Sequence, residues 1–310
     1  MKKIFSSKTH WFAALLLAAA LLFTATGCNP ADDDDDDDDN SSSSTTYATL
    51  PSSVGTNELS SKSWTYTSPH GNAKGAWTFN SDGTATFTET YGSDTQGSTY
   101  NYTYNSNSKL VYLGLKSFYY SSSTSSEIFS YSSVAELKTL LENYGASGDE
   151  LEKEVAEAAL EFATKLVFRY DIDDTAKTLE LIWYFDGELP TFVEMDYYSY
   201  GTSQSISIDM DEHGFEIEDH SSSSEYEIYP TFSNGTFSGT LFQESSEGYT
   251  SLGTAAGTYT TSGTGTTGSS VTLTFTALPS NLTDISTNTE YKLEQSYESK
   301  FHTYTYTLQQ

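Results

Sequence analysis

The sequence predicts an all-β, mainly antiparallel fold with one inserted helical hairpin, and three observations support this prediction. The 310-residue chain is rich in Ser and Thr and contains 24 Tyr, 17 Phe and 4 Trp. Short stretches in which apolar and polar residues alternate recur along most of its length. Aromatic and β-branched residues favour strands, and a period of two is typical of strands with one buried face. One region, near residues 133–166, has helical periodicity instead.

Three stretches combine this alternation with a turn sequence, which is a strong signal for a β-hairpin. In the first, Trp77 and Phe79 alternate with polar residues before a turn at 81–83, and Ala85 and Phe87 continue the alternation after it. The predicted hairpins are AWTFNSDGTATFTETY (76–91), STYNYTYNSNSKLVYLGL (98–115) and LVFRYDIDDTAKTLELIWYFDG (166–187). Further alternating runs predict strands at 206–210, 226–232, 236–242, 271–275 and 301–308.

The helical region has signals for the ends of its helices. Ser133 is followed three residues later by Glu136, which forms a capping box, and Gly145 is a helix stop. Asp149 and Glu152 repeat the capping pattern for a second helix. We expect the insert to cover an open end or face of the sheet, and the alternative is a lid over a ligand cavity. The apolar stripes are Val134, Leu137, Leu140, Leu141 and Tyr144, then Leu151, Val155, Ala158, Ala159, Phe162 and Leu166.

The first 27 residues have the three-part pattern of an export signal. Lys2, Lys3 and Lys8 give a positively charged start, an apolar run follows at 11–23, and small or weakly polar residues follow at 24–27. A helix as short as this run does not cross a hydrocarbon layer of ~30 Å. We therefore expect residues 1–27 to be a signal peptide rather than a membrane-spanning helix or a buried core helix.

The sequence Ala25-Thr26-Gly27-Cys28 resembles a bacterial lipobox. Ala25 stands where leucine is typical, and this relaxed form is similar to the lipobox of spirochaete lipoproteins. The resemblance implies that the signal is cleaved before Cys28 and that the Cys28 thiol carries diacylglycerol, so that two or three acyl chains hold the protein on the membrane. The alternative is a free thiol near an ordinary cleavage site. Cys28 is the one cysteine of the chain, so it has no disulfide partner within it.

Residues 28–56 are predicted to form a disordered tether between this anchor and the folded body. Eight consecutive aspartates, Asp32 to Asp39, precede a Ser- and Thr-rich stretch, and such a segment cannot bury apolar surface. Neighbouring like charges lie well within a Debye length of ~8 Å, so repulsion extends the run. Calcium binding is the alternative, but unconstrained carboxylates form no defined coordination shell. We therefore predict a spacer and no metal site.

The charge of the chain excludes one class of partner. It has 14 basic and 43 acidic residues, and removal of residues 1–27 takes away three lysines and no acid, which leaves a formal net charge of −32. Such a chain repels phosphate backbones and anionic membrane surfaces, so we exclude nucleic acid as a partner. About 260 residues follow the tether, which is enough for one large β domain or two ordinary ones.

The first predicted hairpin resembles the lipocalin-like repeat found in many bacterial lipoproteins. The stretch Gly75 to Asn80 and the turn Asp82-Gly83-Thr84 carry the resemblance, together with the Tyr- and Thr-rich hairpins that follow. The resemblance implies meander barrels whose interiors are filled or hold one small apolar ligand. We expect a lipocalin-like domain at 57–190 and, at 191–310, a second β domain or a continuation of the same sheet system. A second copy is predicted in GTFSGTLF (235–242), GTYT (257–260) and SSVTLTF (269–275).

No sequence pattern identifies a catalytic site, because no nucleophile elbow occurs and the acids are too abundant to single out a glycosidase pair. Nor do the histidines that follow the signal have the spacing of metal ligands, as on one helix face. Membrane-spanning barrels are disfavoured by the Ser, Thr and Asp residues at outward positions. The four histidines are His70, His213, His220 and His302.

The stretch DMDEHGFEIEDH (209–220) partly matches a calcium-binding loop. Asp209, Asp211 and Gly214 occupy the first, third and sixth positions, but His213 and His220 stand at the fifth and twelfth, where oxygen ligands are needed. The flanking residues also alternate like strands rather than helices. We therefore interpret the stretch as an acidic hairpin turn.

Five clustered tyrosines are candidates for exposed rings that stack on sugars, because adjacent strand residues point to opposite faces. The alternative is that they form cross-strand pairs and core. These tyrosines are Tyr119, Tyr120, Tyr197, Tyr198 and Tyr200.

Together these patterns predict a lipoprotein of the cell envelope, on the outer membrane and facing the periplasm or the outside, that acts as a non-catalytic binding or interaction module. We expect its membrane contact to be the lipid at Cys28, and we expect no cofactor. Its other partner is a small apolar ligand, a glycan or a protein. The first alternative is a carrier or sensor of a small apolar ligand inside the barrel, and a hydrolase that acts on glycans is the second.

Overall fold

The computed structural model describes residues 44–309 except 68–72, 92–93, 123–127, 192–196, 201–205, 212–213, 220–223, 246–247, 281, 283–284, 286 and 295–302. Within the described residues the chain forms 18 strands and two helices, which confirms an all-β, mainly antiparallel fold with one helical insert. The first eight strands are β1 (Lys62–Thr67), β2 (Ala73–Phe79), β3 (Thr84–Tyr91), β4 (Asp94–Asn105), β5 (Leu110–Ser122), β6 (Ile128–Tyr131), β7 (Lys165–Asp173) and β8 (Thr178–Trp183). The helices α1 (Val134–Asn143) and α2 (Gly148–Ala163) lie between β6 and β7.

The other ten strands follow β8. They are β9 (Tyr197–Tyr200), β10 (Ile206–Asp211), β11 (Gly214–Asp219), β12 (Ser224–Ile228), β13 (Thr231–Ser233), β14 (Thr236–Ser245), β15 (Gly248–Ser262), β16 (Ser270–Ala277), β17 (Glu290–Glu294) and β18 (Thr303–Leu308).

Eight strands form a closed antiparallel barrel, in the order β1-β2-β3-β4-β5-β7-β8-β18. Pairing of β4 with β5 and of β18 with β1 completes the ring. The three predicted hairpins are β2–β3, β4–β5 and β7–β8, and all three are confirmed by their registers. The predicted meander barrel is therefore present, and closure leaves its strands without an open edge.

Aromatic and aliphatic side chains fill the interior of this barrel. The ring of Trp77 lies 4.9–5.7 Å from the rings of Phe79, Phe87 and Tyr100, and its indole N–H donates to the Tyr306 hydroxyl at 3.2 Å. Removal of such large side chains from water is the main driving force for folding. The buried interior set is Leu59, Trp64, Trp77, Phe79, Ala85, Tyr102, Val111, Leu113, Phe168, Tyr170, Leu179, Leu181, Trp183 and Tyr306.

Residues 57–61 close one end of the barrel. Leu59 is fully buried there, and the Asn57 side chain accepts the N–H groups of Leu59 and Ser60 at 3.2 and 3.0 Å. The Asn57 amide donates to the Tyr102 hydroxyl at 2.8 Å, and that hydroxyl donates to the carbonyl of Asn80 at 2.9 Å. The turns of β2–β3, β4–β5 and β7–β8 lie at this end. Both long insertions, the helices and β9–β17, therefore leave the barrel at the opposite end.

The two helices agree with their predicted signals except at the start of α2. The Ser133 hydroxyl accepts the N–H of Glu136 at 3.2 Å, as the capping box predicts, and α1 ends before Gly145, whose φ is +93°. The prediction of Asp149 as a cap is wrong, because α2 begins after Ser147 and the Asp149 carboxylate accepts the N–H of Ser251 at 3.0 Å instead. Leu166 lies in β7 rather than in the helix, since α2 ends at Ala163.

Both helices cover the far half of β5 and its neighbour β6. Residues 110–114 of β5 pair with β7 inside the barrel, whereas residues 118–121 pair with β6 beyond it. The apolar face of this extension is covered by the helices, which confirms that the insert covers a face of the sheet. The shared cluster consists of Leu115, Phe118, Tyr120, Tyr131, Val134, Leu137, Ala158 and Phe162.

A second sheet, in the order β10-β11-β12-β14-β15-β16-β17-β9, has its own core. The strands predicted at 206–210, 236–242 and 271–275 are β10, β14 and β16, and the run at 226–232 divides into β12 and β13. The buried core consists of Phe185, Ile217, Tyr226, Ile228, Phe237, Leu241, Ala255, Val271, Leu273, Phe275, Ile285, Tyr291 and Leu293.

This second sheet is inserted between two neighbouring strands of the barrel. β8 and β18 pair with each other, although β9–β17 separate them in the chain. The two ends of the insertion lie side by side, because Tyr197 of β9 is opposite Glu294 of β17. The predicted range 191–310 therefore contains the inserted sheet and also β18, which completes the barrel of the range 57–190.

The described residues of the predicted tether, 44–56, lie along the folded body. Ala48 donates its N–H to the carbonyl of Phe162 at 2.7 Å, and the Tyr47 ring meets the Phe162 ring edge-on at 5.5 Å. The hydroxyl of Thr45 accepts the N–H of Val134 at 3.0 Å, at the start of α1. This part of the predicted tether is therefore bound across the helical hairpin.

Candidate functional site

Several residues that the sequence singles out lie outside the described residues. Cys28, the predicted lipidation site, and the aspartate run 32–39 precede the first described residue, Ser44. Lipidation of Cys28 and the spacer role of the aspartates therefore stay predictions. His70, His213, His220 and His302 also lie outside the described residues.

The partial calcium loop is a β-hairpin. Asp209 and Asp211 lie in β10, Gly214 begins β11, and the register pairs Asp211 with Gly214. A calcium loop of the helix–loop–helix type has a helix on each side. The flanking residues are therefore paired strands, as interpreted, whereas residues 212–213 between them lie outside the described residues.

The candidate sugar-binding tyrosines that can be placed belong to the packed body. Tyr120 is buried and stacks on Phe129 with 5.2 Å between ring centroids. Tyr119 is half-buried, its ring packs against Gly97, and its hydroxyl lies 3.2 Å from that of Thr88. For these two residues the core interpretation is therefore the better one. Tyr197, Tyr198 and Tyr200 form β9, and their side chains are outside the described part.

The indole N–H of Trp64, in the barrel interior, bears on the carrier hypothesis. Trp64 is 1% exposed, and its indole N–H has no hydrogen-bond partner among the described residues. The Lys62 ammonium group lies 5.8 Å from the centroid of the Trp64 ring. A buried donor of this kind matches a ligand that carries a hydrogen-bond acceptor.

A more elaborate site surrounds a buried lysine of α2. Lys153 is 5% exposed, and Ala158 and Phe162 of the same helix are buried in the cluster with β5 and β6. The lysine instead contacts residues of the second sheet. A buried ammonium group is stable only with partners that replace its hydration.

Three carboxylates and two aromatic rings are those partners. The Lys153 Nζ atom lies 2.9 Å from Glu157, 3.5 Å from Glu154 and 3.7 Å from Glu227. It also lies 4.8 Å from the ring centroid of Tyr249 and 5.6 Å from that of Tyr229, within range of cation–π attraction. We call Lys153, Glu154, Glu157, Glu227, Tyr229 and Tyr249 the Lys153 cluster.

Hydrogen bonds from the two tyrosines orient Glu227. The Tyr249 hydroxyl donates to Glu227 Oε1 at 3.1 Å, and the Tyr229 hydroxyl donates to Glu227 Oε2. Burial, followed by the nearby carboxylates, raises the pKa of Tyr229 well above its ordinary value. Burial also raises the pKa of Tyr249, against the opposing effect of Lys153. Both tyrosines are therefore neutral hydrogen-bond donors at physiological pH.

The charges of the cluster shift one another's protonation. Burial alone would lower the pKa of Lys153, but Glu157, Glu154 and Glu227 raise it well above its usual range, so this lysine stays charged. Burial, together with the neighbouring carboxylate of Glu157, raises the pKa of Glu154 to about 7, although Lys153 opposes this. Glu154 is therefore close to half-protonated at neutral pH.

A pair of carboxyl groups lies at the exposed rim of the same cluster. Glu225 of β12 is directly opposite Glu244 of β14. Desolvation, followed by the hydrogen bond with Glu225, raises the pKa of Glu244 to about 7. Glu244 therefore keeps its proton to a higher pH than a solvated glutamate does, because two adjacent carboxylates repel each other.

A second buried lysine holds the segment that links the two sheets. The Lys165 Nζ atom lies 2.6 Å from Asp186 and 2.7 Å from Glu188, and Thr191 donates its hydroxyl to Asp186 at 2.9 Å. Burial would lower the pKa of Lys165, but the two carboxylates raise it. Lys165, Asp186 and Glu188 therefore form structural ion pairs.

The sequence contains one signal for the Lys153 cluster, although it matches no known motif. Lys153 is the one basic residue in α2, among six acidic ones. A single lysine beside the apolar stripe of so acidic a helix indicates that the lysine forms ion pairs with the surrounding carboxylates. Its partners Glu227 and Tyr249 are distant in sequence, so a local pattern does not identify them.

The described residues lack two further features. Among them, no group of three or more His, Cys, Asp or Glu side chains is arranged to hold a metal ion. In the same part of the chain, the helices lack the length and apolar character needed to cross a membrane.

Comparison with known proteins gives no relative. No family model, no curated protein and no solved structure matched the chain. The fold is therefore defined by the pairing of its own strands.

Proposed function

We propose that the protein is a lipid-anchored lipoprotein of the cell envelope, on the outer membrane, whose folded body is a non-catalytic binding or interaction module. The lipobox-like sequence that ends at Cys28 supports the anchor. The charge of the chain, with 43 acidic and 14 basic residues, favours a protein or glycan partner over nucleic acid.

The filled barrel interior is the observation that carries the binding-module proposal. An eight-stranded barrel is just wide enough for its side chains to fill it. In this one, the rings of Phe79, Phe87 and Tyr100 each lie within 6 Å of the Trp77 ring. A packed interior favours recognition by the outer surface over transport of a ligand inside.

The position of residues 44–56 limits the distance between the folded body and the membrane. Because these residues are bound to the helices and the barrel, residues 29–43 form the tether that is left between the anchor and the body. Fifteen residues reach at most about 55 Å when fully extended. The proposed module therefore works close to the membrane surface, and the aspartate run repels anionic headgroups.

Metabolic labelling tests the anchor. In a bacterial host that processes lipoproteins, the full-length chain is expected to incorporate an alkyne analogue of palmitate and to sediment with membranes. Cys28→Ala is expected to lose both the label and the membrane association, whereas Asn29→Ala, as a matched control, keeps both. Labelling of Cys28→Ala at the level of the unmodified chain would refute the anchor.

Native mass spectrometry of the protein extracted from its own membrane tests the module against the carrier alternative. The proposal predicts the mass of the acylated polypeptide without an additional small molecule. A co-purifying compound of defined mass, lost on Trp64→Phe, would instead establish a carrier.

The carrier alternative has one specific observation in its favour. The buried Trp64 indole N–H lacks a partner among the described residues, and a ligand acceptor inside the barrel would satisfy it. In that case the helical hairpin would be the lid, as its position at the end with the long insertions allows.

A further inference from the structure

We propose that the Lys153 cluster is a pH-responsive latch between α2 and the second sheet, closed at mildly acidic pH and weakened as the pH rises through neutrality. The latch joins the two insertions of the barrel, which are otherwise distant in the chain.

The geometry of the latch has two layers. Lys153 of α2 contacts Glu227 and Tyr249 of the second sheet and also pairs with Glu157 of its own helix. One turn earlier on α2, the Asp149 carboxylate accepts the backbone N–H of Ser251 in β15 at 3.0 Å. The helix is thus held on the sheet mainly by polar contacts, and these respond to protonation.

Acidic groups outnumber basic ones in this contact. The ammonium group of Lys153 neutralises one carboxylate, and each further ionised carboxylate adds repulsion between the helix and the sheet. The register adds two glutamate positions of β11, since Glu216 is opposite Glu227 and Glu218 is opposite Glu225. The titratable and charged groups at the contact are Asp149, Glu150, Lys153, Glu154 and Glu157 of α2, Glu225 and Glu227 of β12, Tyr229, Glu244 of β14 and Tyr249 of β15, with Glu216 and Glu218 at the neighbouring register positions of β11.

The direction of the pH effect follows from linkage. Glu154 and Glu244 each have a pKa of about 7 in the closed latch, whereas a solvated glutamate has a pKa of about 4.3. Between these values the closed latch binds more protons than the open one, so its stability is complete below about pH 4.3 and is lost as the pH rises through about 7. Glu244 contributes less than Glu154, because solvent screens the exposed rim.

Hydrogen–deuterium exchange of the full-length lipoprotein in non-ionic detergent tests the latch. Protection factors, corrected for intrinsic exchange, are measured from pH 5.5 to 8.5 in peptides that cover 148–163 and 248–256. We expect protection of both peptides to fall about tenfold or more over this range. Protection of residues 110–115 in the barrel is expected to stay constant, which separates opening of the latch from global unfolding.

Glutamine variants assign the effect to the cluster. Glu154→Gln together with Glu244→Gln removes the two ionisations and is expected to flatten the pH profile, whereas Glu290→Gln, an exposed site on β17, keeps it. An unchanged profile in the double variant would overturn the proposal, as would a parallel loss of protection in the barrel. If circular dichroism shows that the double variant is unfolded, Glu244→Gln alone at the rim takes its place. The expected result is then a shallower profile, and an unchanged one overturns the proposal.

Discussion

Lys153 illustrates the conditions under which a single charge is stable in a protein interior. Removal of an ammonium ion from water has a penalty of several kcal/mol. At this site the penalty is offset by the carboxylates of Glu157, Glu154 and Glu227, all within 4 Å of Nζ, and by the faces of two tyrosine rings. Without the lysine, the same carboxylates would repel one another and would lack a counter-charge.

Replacement of this lysine is therefore expected to be costly. Lys153→Met keeps most of the side-chain volume but leaves three carboxylates without their cation, so we expect a loss of about 3–5 kcal/mol at pH 8. At pH 5.5 the loss is smaller, because protonation of Glu154 relieves part of the repulsion. The measurement is urea unfolding at the two pH values.

Lys138 is the matched control on the neighbouring helix. Its Nζ atom lies 3.8 Å from Glu142 one turn away, and both side chains are about half exposed. Lys138→Met is expected to change the free energy of unfolding by less than about 0.5 kcal/mol. Equal effects of the two substitutions would contradict the assigned role of Lys153.

At the scale of strands, close backbone approach decides which glycines are replaceable. A Cβ atom on Gly257 of β15 would lie 2.2 Å from the carbonyl oxygen of Thr274 in β16 and 2.6 Å from the ring of Phe237. The β15–β16 register shifts beside this residue, between Ala256 and Gly257. Because one of the two clashing groups is backbone, a rotamer change does not relieve the contact.

We expect Gly257→Ala to destabilise the second sheet by about 2 kcal/mol or more. Gly75→Ala in β2 is the control, since its Cβ atom would lie 3.3 Å from the Phe87 ring and meet no backbone. Thermal unfolding followed by circular dichroism compares the two variants. A Gly257→Ala chain as stable as Gly75→Ala would show that β15 and β16 separate without penalty.

Local signals predicted the elements well. The β2–β3 and β7–β8 hairpins form as expected because their alternation and turn residues lie within about 20 residues of one another. The predicted start of α2 was wrong because Asp149, a good capping residue, accepts a hydrogen bond from the backbone N–H of Ser251 instead. That competition depends on a strand about 100 residues later, so no local pattern reveals it.

Neither the topology nor the Lys153 cluster was predictable in this way. The alternation of β18 indicates a strand but not that its partners are β1 and β8. In the same way, the helical pattern of α2 identifies Ala158 and Phe162 as core but gives no reason to bury Lys153. Both facts follow from pairings between distant segments, which a single sequence does not specify.

At the scale of the whole molecule, the net charge opposes the compact state. A formal charge of −29 repels itself, and the Debye length falls from ~30 Å at 0.01 M salt to ~8 Å at 0.15 M. We therefore expect the melting temperature to rise with NaCl up to about 0.15 M and then to level off. Near the isoelectric point of about 4.2, the same addition of NaCl is expected to change the melting temperature little. A salt effect of equal size at both pH values would contradict this explanation.

The closing strand gives a prediction about the whole chain. A chain that ends at residue 302 lacks β18, so β1 and β8 lose their common partner. We expect the emission of Trp64, Trp77 and Trp183, all in the barrel core, to shift to longer wavelength. Exchange protection of β14–β16 is expected to persist, and a chain that lacks residue 310 alone serves as control. Unshifted emission would show that the barrel does not need β18.

The side-by-side ends of the inserted sheet have a consequence for the order of folding. The barrel closes only when β8 meets β18 across about 120 residues, which is a contact of long sequence separation and therefore slow to form. Once Tyr197 is paired with Glu294, the same closure spans only about 20 residues of the chain. By loop-closure entropy this shortening is worth about 1.5 kcal/mol. The inserted sheet is thus expected to fold first and to act as the intramolecular template on which the barrel closes.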